Sequence, residues 1–193
     1  MSDIDTIIGA RRSLYPKQFT GEKISDDLIT KILENANKAP SHLNTNPWRF
    51  KVFTGEGISN FANFVIEQYK LTNKSNIVQA KIDKYKNFQY QVSHIIAVIC
   101  QFETNERVPD VEEIISTGCA IENIYLSVSE YGLGGYFSTG MGTYSDEMHE
   151  ALSLSDTQQL LGFFFIGNVD EKAKKLKRPL KKSIESQIDW ITD

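Results

Sequence analysis

Residues 131–142 read YGLGGYFSTGMG, and the elements on either side of them decide which fold the chain can adopt. A glycine-rich stretch suggests the dinucleotide-binding turn, where a strand enters the glycines and a helix leaves them, so that a pyrophosphate meets the helix N-terminus. Here the order is reversed. The residues before the glycines, about 111–131, place Ile114, Ile115, Gly118, Cys119, Ile121, Tyr125 and Val128 in a pattern that predicts a long helix buried on most sides. The residues after them, 135–139, predict a short strand. The stretch therefore reads as a helix-to-strand turn, with Gly132 as the helix cap and Gly134 and Gly135 admitting close packing. Ser138, Thr139 and Gly140 also form a small-residue stretch against which a flat ligand can lie close to backbone.

Working outward, residues 94–102 are a nearly continuous β-branched run, the mark of a strand buried on both faces, and residues 160–166 are a second. Residues 48–53 predict a third strand and 145–152 a short helix. Toward the N-terminus, residues 3–11 predict a helix with Ile4, Ile7 and Ile8 on one face. Ser25 is an N-cap before Asp26 and Asp27, and Leu28, Ile29, Ile32, Leu33 and Ala36 continue at helical spacing until Pro40. Residues 58–85 predict a polar, interrupted helix. The order is α, α, β, α, β, α, β, α, β and a tail: an α+β or α/β sheet with helices against it, expected to form one domain over residues 1–193. The tail holds Ile184, Ile188, Trp190 and Ile191, apolar positions that need a surface such as a partner subunit.

A net charge of −4 over 193 residues argues against a nucleic-acid binder, whose phosphate-tracking face requires a basic excess. No apolar run reaches the length of a membrane span, and the start shows no signal-peptide core, so a cytoplasmic protein is expected. Cys100 and Cys119 sit in apolar runs and read as small buried hydrophobes rather than a reactive pair. His42, His94 and His149 are scattered, without metal-ligand spacing.

Arg11, Arg12 and Ser13 follow the first helix. Two guanidiniums and a hydroxyl suit a phosphate, although a basic helix end in solvent has the same composition. KAKKLKRP, residues 172–179, is a second basic run, and such runs are usually solvated faces. The loop APSHLNTNPWRF, residues 39–50, changes the balance. Ala-Pro-Ser, then Asn44, then Pro47-Trp48 entering a strand, resembles the flavin-binding loop of the nitroreductase family, with Asn46 where the family usually has Gln. In register with it, Arg11-Arg12-Ser13 resembles the family's phosphate motif, residues 131–142 its turn beside the flavin ring, and KRPL at 177–180 its C-terminal basic motif. His42 and the short middle region resemble the compact branch of that family.

The resemblance implies an α+β fold with a central mixed or antiparallel sheet flanked by helices, and a C-terminal tail embracing the partner of a homodimer. It implies FMN as cofactor and NAD(P)H as co-substrate, with electrons passed by a ping-pong mechanism to a small flat acceptor such as a nitroaromatic or quinone. The implied cofactor contacts are Arg11, Ser13, Lys177 and Arg178 on the phosphate, Arg12 and Asn44 on the ribityl chain or the ring's pyrimidine edge, and Phe137, Ser138, Thr139 and Gly140 beside the ring. Pro40, Ser41, His42 and Asn44 come from the other subunit. Backbone N–H groups of Thr139 or Gly140 would face flavin N5. No side chain is required as a nucleophile, because the cofactor carries the chemistry. Tyr85, Phe88 and Tyr90 are candidates for the pocket lining. Two other readings share the fold: a non-catalytic flavin-binding protein, and a different flavin reaction such as dehalogenation or flavin degradation.

Overall fold

Side chains alternate across a strand, so a strand apolar at every position needs cover on both faces, and the helices of this molecule supply it. The computed structural model describes residues 3–104, 107–175 and 181–192. Its strands are β1 (Trp48–Phe53), β2 (His94–Gln101), β3 (Gly134–Ser138) and β4 (Gln158–Gly167). They form a 4-stranded sheet in the order β1-β2-β4-β3, with every neighbouring pair antiparallel. Its helices are α1 (Asp3–Ala10), α2 (Asp26–Ala36), α3 (Glu56–Thr72), α4 (Gln79–Lys86), α5 (Phe88–Gln91), α6 (Asp110–Glu130), α7 (Asp146–Ala151) and α8 (Glu171–Lys174). On one sheet face Ile95, Ala97, Ile99, Phe163 and Phe165 pack with Phe61, Val65, Tyr85 and Phe88 of α3, α4 and α5. On the other, Ile96, Val98, Phe164 and Ile166 pack with Ile32 of α2 and Ile124 and Val128 of α6. Each such burial stabilises the fold by roughly 1.5–3 kcal/mol before the entropy of ordering is counted.

The α6-to-β3 turn is the one expected. Gly132 has a φ of 67°, in the left-handed region. Its N–H reaches Ser129 O, and the Leu133 N–H reaches Val128 O, which closes the helix in a Schellman motif. Gly135 lies so close to Phe164 that an added Cβ would stand 2.9 Å from that ring.

Three expectations are refined or corrected. The interrupted helix expected over 58–85 is α3 and α4, with the short α5 after them. Asn73 ends α3 by donating from Nδ2 to Tyr69 O (2.9 Å), and the Tyr69 hydroxyl accepts the Val78 N–H (3.0 Å), which turns the chain back. The polar residues between them have no apolar face to keep a helix on the core. Second, α6 is not buried on most sides. In its first half the buried residues are polar, Glu113, Ser116 and Thr117, while Val111 and Ile115 are about 60% exposed. Glu113 faces inward because its Oε2 accepts the Glu103 N–H (2.9 Å). Third, α1 forms where expected, but its apolar face is not buried in this chain: no residue of it is buried, and Ile4 and Ile8 are more than half exposed. The tail is equally uncovered: around a 3-10 turn at Ile184–Gln187, Trp190 and Ile191 stand exposed to 84% and 92%.

Candidate functional site

The segment after α1 is fastened along β3. Leu14 N–H donates to Gly135 O (2.9 Å), so Arg11, Arg12 and Ser13 run beside the strand's start. The guanidinium of Arg11 lies 5.0 Å from the centre of the Tyr125 ring and 3.5 Å from a carboxylate oxygen of Glu122. The Tyr125 hydroxyl accepts the Phe137 N–H (2.8 Å) and stands 3.2 Å from Ser13 Oγ. One α6 side chain thus touches two of the three motif residues and the strand. Arg12 borders a small recess of about 180 Å³ with Tyr125, Val128 and Leu133.

Next to this segment opens a cavity of about 980 Å³. Its walls are Tyr15 and Lys17, then Lys84, Tyr85 and Phe88 from α4 and α5, then residues 136–141 of β3 and its exit turn. The Tyr15 and Tyr136 rings approach to 4.6 Å. Burial, with a smaller contribution from Tyr69, pushes the Tyr85 phenol up, so it keeps its proton through neutral pH and can donate a hydrogen bond. Tyr85 and Phe88 line the cavity as expected. Tyr90 does not: it is 70% exposed and outside the lining. In the exit turn Met141 and Gly142 adopt positive φ, and Gly140 O accepts from Thr143 Oγ1 (2.6 Å). The Gly140 N–H is directed to Ser138 Oγ (3.3 Å). It is therefore engaged within the turn rather than presented outward.

The Ala-Pro-Ser loop is built differently. Leu43, Asn44 and Asn46 all take left-handed backbone conformations, which asparagine tolerates and leucine pays for. Asn46, standing where the family usually has Gln, folds inward. Its Nδ2 donates to Asn44 O (3.0 Å) and its N–H to Ser41 Oγ (3.1 Å), while its own carbonyl accepts from Arg49 (2.8 Å). The His42 Nδ1 meets Glu112 of α6 at 2.5 Å, with both side chains nearly half exposed. Glu112 and Tyr125 are about 20 Å apart along the helix axis. The structure therefore gathers Arg11, Ser13, Phe137 and Ser138 at one end of α6, with Thr139 and Gly140 beyond them on the cavity wall. It leaves Pro40, Ser41, His42 and Asn44 at the other end. Lys177 and Arg178 lie outside the described residues.

Tyr125 and Glu122 were not singled out as site residues by sequence. Their spacing along α6 places them on one face, but a Tyr inside an apolar helix reads equally well as core. Another arrangement resembles a nucleophilic triad: Ser93 Oγ lies 3.0 Å from His94 Nδ1, and His94 Nε2 lies 2.9 Å from Asp26. Ser93 is fully buried and its oxygen accepts the Ile24 N–H, so the trio braces β2 against α2. Cys100 is buried as expected, and burial above all raises its thiol pKa, which makes it a poor nucleophile. Among the described residues there is no group of three or more His, Cys, Asp or Glu that could hold a metal ion, and no helix is long and apolar enough to cross a membrane.

The chain matches the model of the nitroreductase family over residues 8–168. It is 31% identical over 173 residues to the protein named "Putative NAD(P)H nitroreductase YfhC" of Bacillus subtilis (strain 168), covering 89% of this chain and 87% of that one. Among solved structures it superposes on a nitroreductase-like family protein from Bacillus cereus with a TM-score of 0.84, at 22% identity and covering 100% and 98% of the two chains. It superposes on the FMN and NADPH-dependent nitroreductase NfnB from sphigopyxis sp. strain HMH with a TM-score of 0.77, at 20% identity and full coverage of both. Likeness at such identities establishes the fold. Together with the family model and the Bacillus subtilis relative, it shows that this chain belongs to the nitroreductase family.

Proposed function

We propose that the chain is an FMN-dependent oxidoreductase that takes electrons from NAD(P)H and passes them to a small flat acceptor, a nitroaromatic or a quinone, from flavin sites shared by two copies. The observation that carries this is the division of the site motifs between the two ends of α6. One end holds a basic, hydroxyl-bearing segment beside an aromatic cavity. The other holds the Ala-Pro-Ser loop next to exposed Leu43, Val111, Ile114 and Ile115. A second copy packed on that apolar face would bring its loop to the first copy's cavity. The exposed Ile188, Trp190 and Ile191 of the tail supply further surface for the same partner.

The residues present fit FMN. Arg11 and Arg12 carry charge for a phosphate, Ser13 adds a hydroxyl, and the neighbouring cavity has the volume for a flat tricyclic ring with a second flat molecule against it. FMN, when bound, supplies hydride acceptance from the nicotinamide and delivery of the electrons to the acceptor. The chain's own work is to bind, orient and exclude water. Lys17, Lys81 and Lys84 outnumber Asp83 on the cavity wall, and positive charge there favours a cofactor that becomes more negative on reduction. Tyr85 and the rings of Tyr15 and Tyr136 give apolar faces for stacking. Donor and acceptor would use this same cavity in turn, which gives ping-pong kinetics and parallel double-reciprocal lines. The whole chain serves as one flavin-binding domain.

Anaerobic titration of FMN-reconstituted protein with NADH and with NADPH tests the reading. The flavin should bleach with at least one of them and recover its colour on adding a nitroaromatic or quinone. Preference for FAD, or failure to hold any flavin, would refute it. Bound FMN that neither nucleotide reduces would instead mark a non-catalytic flavin protein.

A further inference from the structure

The two hydrogen bonds at the Tyr125 hydroxyl define what Ser13 can do. An amide N–H only donates, so the Phe137 bond (2.8 Å) occupies an acceptor site on the phenol oxygen. The second lone pair of a phenol is conjugated with its ring and accepts poorly, so the remaining strong direction is that of its one hydrogen. Ser13 Oγ, 3.2 Å from the phenol oxygen, is the partner within reach of that hydrogen. We infer that Tyr125 is a positioning residue for phosphate recognition: it donates to Ser13 Oγ, which obliges the serine to direct its own proton outward, toward a phosphomonoester oxygen. The same ring stacks under the Arg11 guanidinium at 5.0 Å and holds that charge at the same place. Glu122, 3.5 Å from Arg11, keeps the guanidinium oriented before an anion replaces part of that contact. A serine free to rotate would spend its hydrogen on water or on the backbone. Fixed by Tyr125, it is organised before the ligand arrives.

This rests on the reading that residues 11–13 receive the FMN phosphate, and the test separates the two. Riboflavin has the same ring and ribityl chain without the phosphate. Dissociation constants of both flavins are measured by fluorescence quenching on the full-length apoprotein, for wild type, Tyr125→Phe, Ser13→Ala, the double variant and Arg11→Ala, with thermal melts confirming the fold. Tyr125→Phe keeps the ring under Arg11 and removes only the hydroxyl. The expected result is FMN binding weakened about fivefold to tenfold, with riboflavin binding changed by less than about twofold. The double variant should bind FMN no worse than Ser13→Ala alone, because the tyrosine acts through the serine. Equal losses for FMN and riboflavin would show that the hydroxyl merely supports β3, and additive losses would show that it does not act through Ser13. Either result overturns the inference. If Arg11→Ala leaves the preference for FMN over riboflavin intact, the phosphate is not at this segment and the underlying assignment fails.

Discussion

The two halves of α6 differ in what they complete. The second half buries Ala120, Ile124 and Val128 in the chain's own core and uses Glu122 and Tyr125 to hold the segment after α1 against β3. The first half turns polar residues inward and leaves Val111 and Ile115 about 60% exposed beside a loop with three non-glycine residues in the left-handed region. The loop's backbone is held by its own bonds, from Asn46 to Ser41 and Asn44 and from Arg49 to Asn46, whereas the exposed apolar surface beside it is a cost that none of the described residues covers. One half is finished by the chain itself; in the proposed dimer the other is covered by a second copy.

The largest effect that would break this contrast comes from charging the exposed half. Ile115→Glu is expected to weaken self-association about a hundredfold or more, since it removes roughly 1.5–3 kcal/mol of burial per interface copy and adds the cost of desolvating a carboxylate. FMN should be lost in parallel, as read by sedimentation velocity with flavin absorbance. A variant that stays dimeric and yellow would place the interface elsewhere. Arg11→Ala, on the finished half, is expected to leave the dimer intact and weaken FMN by roughly tenfold to a hundredfold. Equilibrium dialysis against FMN checks this, and unchanged affinity would contradict the phosphate assignment. The smallest effect belongs to Glu112→Gln. Its pair with His42 is nearly half exposed, and such pairs contribute about 0.2–1 kcal/mol, so FMN affinity should fall by less than about fivefold. A larger loss would mean that His42 needs this carboxylate to reach its place at the partner's site.

The regular elements were legible because their causes are local. β1 is found at the residues expected, and β2, β4 and α6 differ only by a residue or two at their ends. Ser25 caps α2 through the Leu28 N–H (3.4 Å), as its side chain and the following acids required. The site motifs were legible as a series in register. What stayed hidden depends on distant partners. Ile114 and Ile115 carry the same apolar signal whether they face their own core or another molecule, so the orientation of α6 could not be read from spacing. The Ser13–Tyr125 contact joins residues 112 positions apart, and nothing local to either announces it. Asn46 stands where the family usually has Gln, and its place is set by bonds to Ser41 and Asn44 that exist only once the loop has its left-handed shape. The interruption expected within 58–85 has its position set in a related way: Asn73 and Tyr69 act on the backbone through their side chains, which hydrophobic periodicity does not register.

In the proposed dimer each flavin site takes residues 11–13 from one copy and residues 40–44 from the other. A mixed dimer tests it most directly. One subunit carries Arg11→Ala, the other carries Ser41→Ala with Asn44→Ala, and distinct affinity tags isolate the heterodimer. If sites are shared, both lesions fall in one site and the second is intact. The heterodimer should then bind one FMN per dimer with wild-type affinity, while each parent homodimer binds weakly at both sites. If each site lies within a single chain, every site in the heterodimer keeps one lesion. A heterodimer with two weakened sites and none of wild-type affinity would show that the flavin sites are not shared between copies.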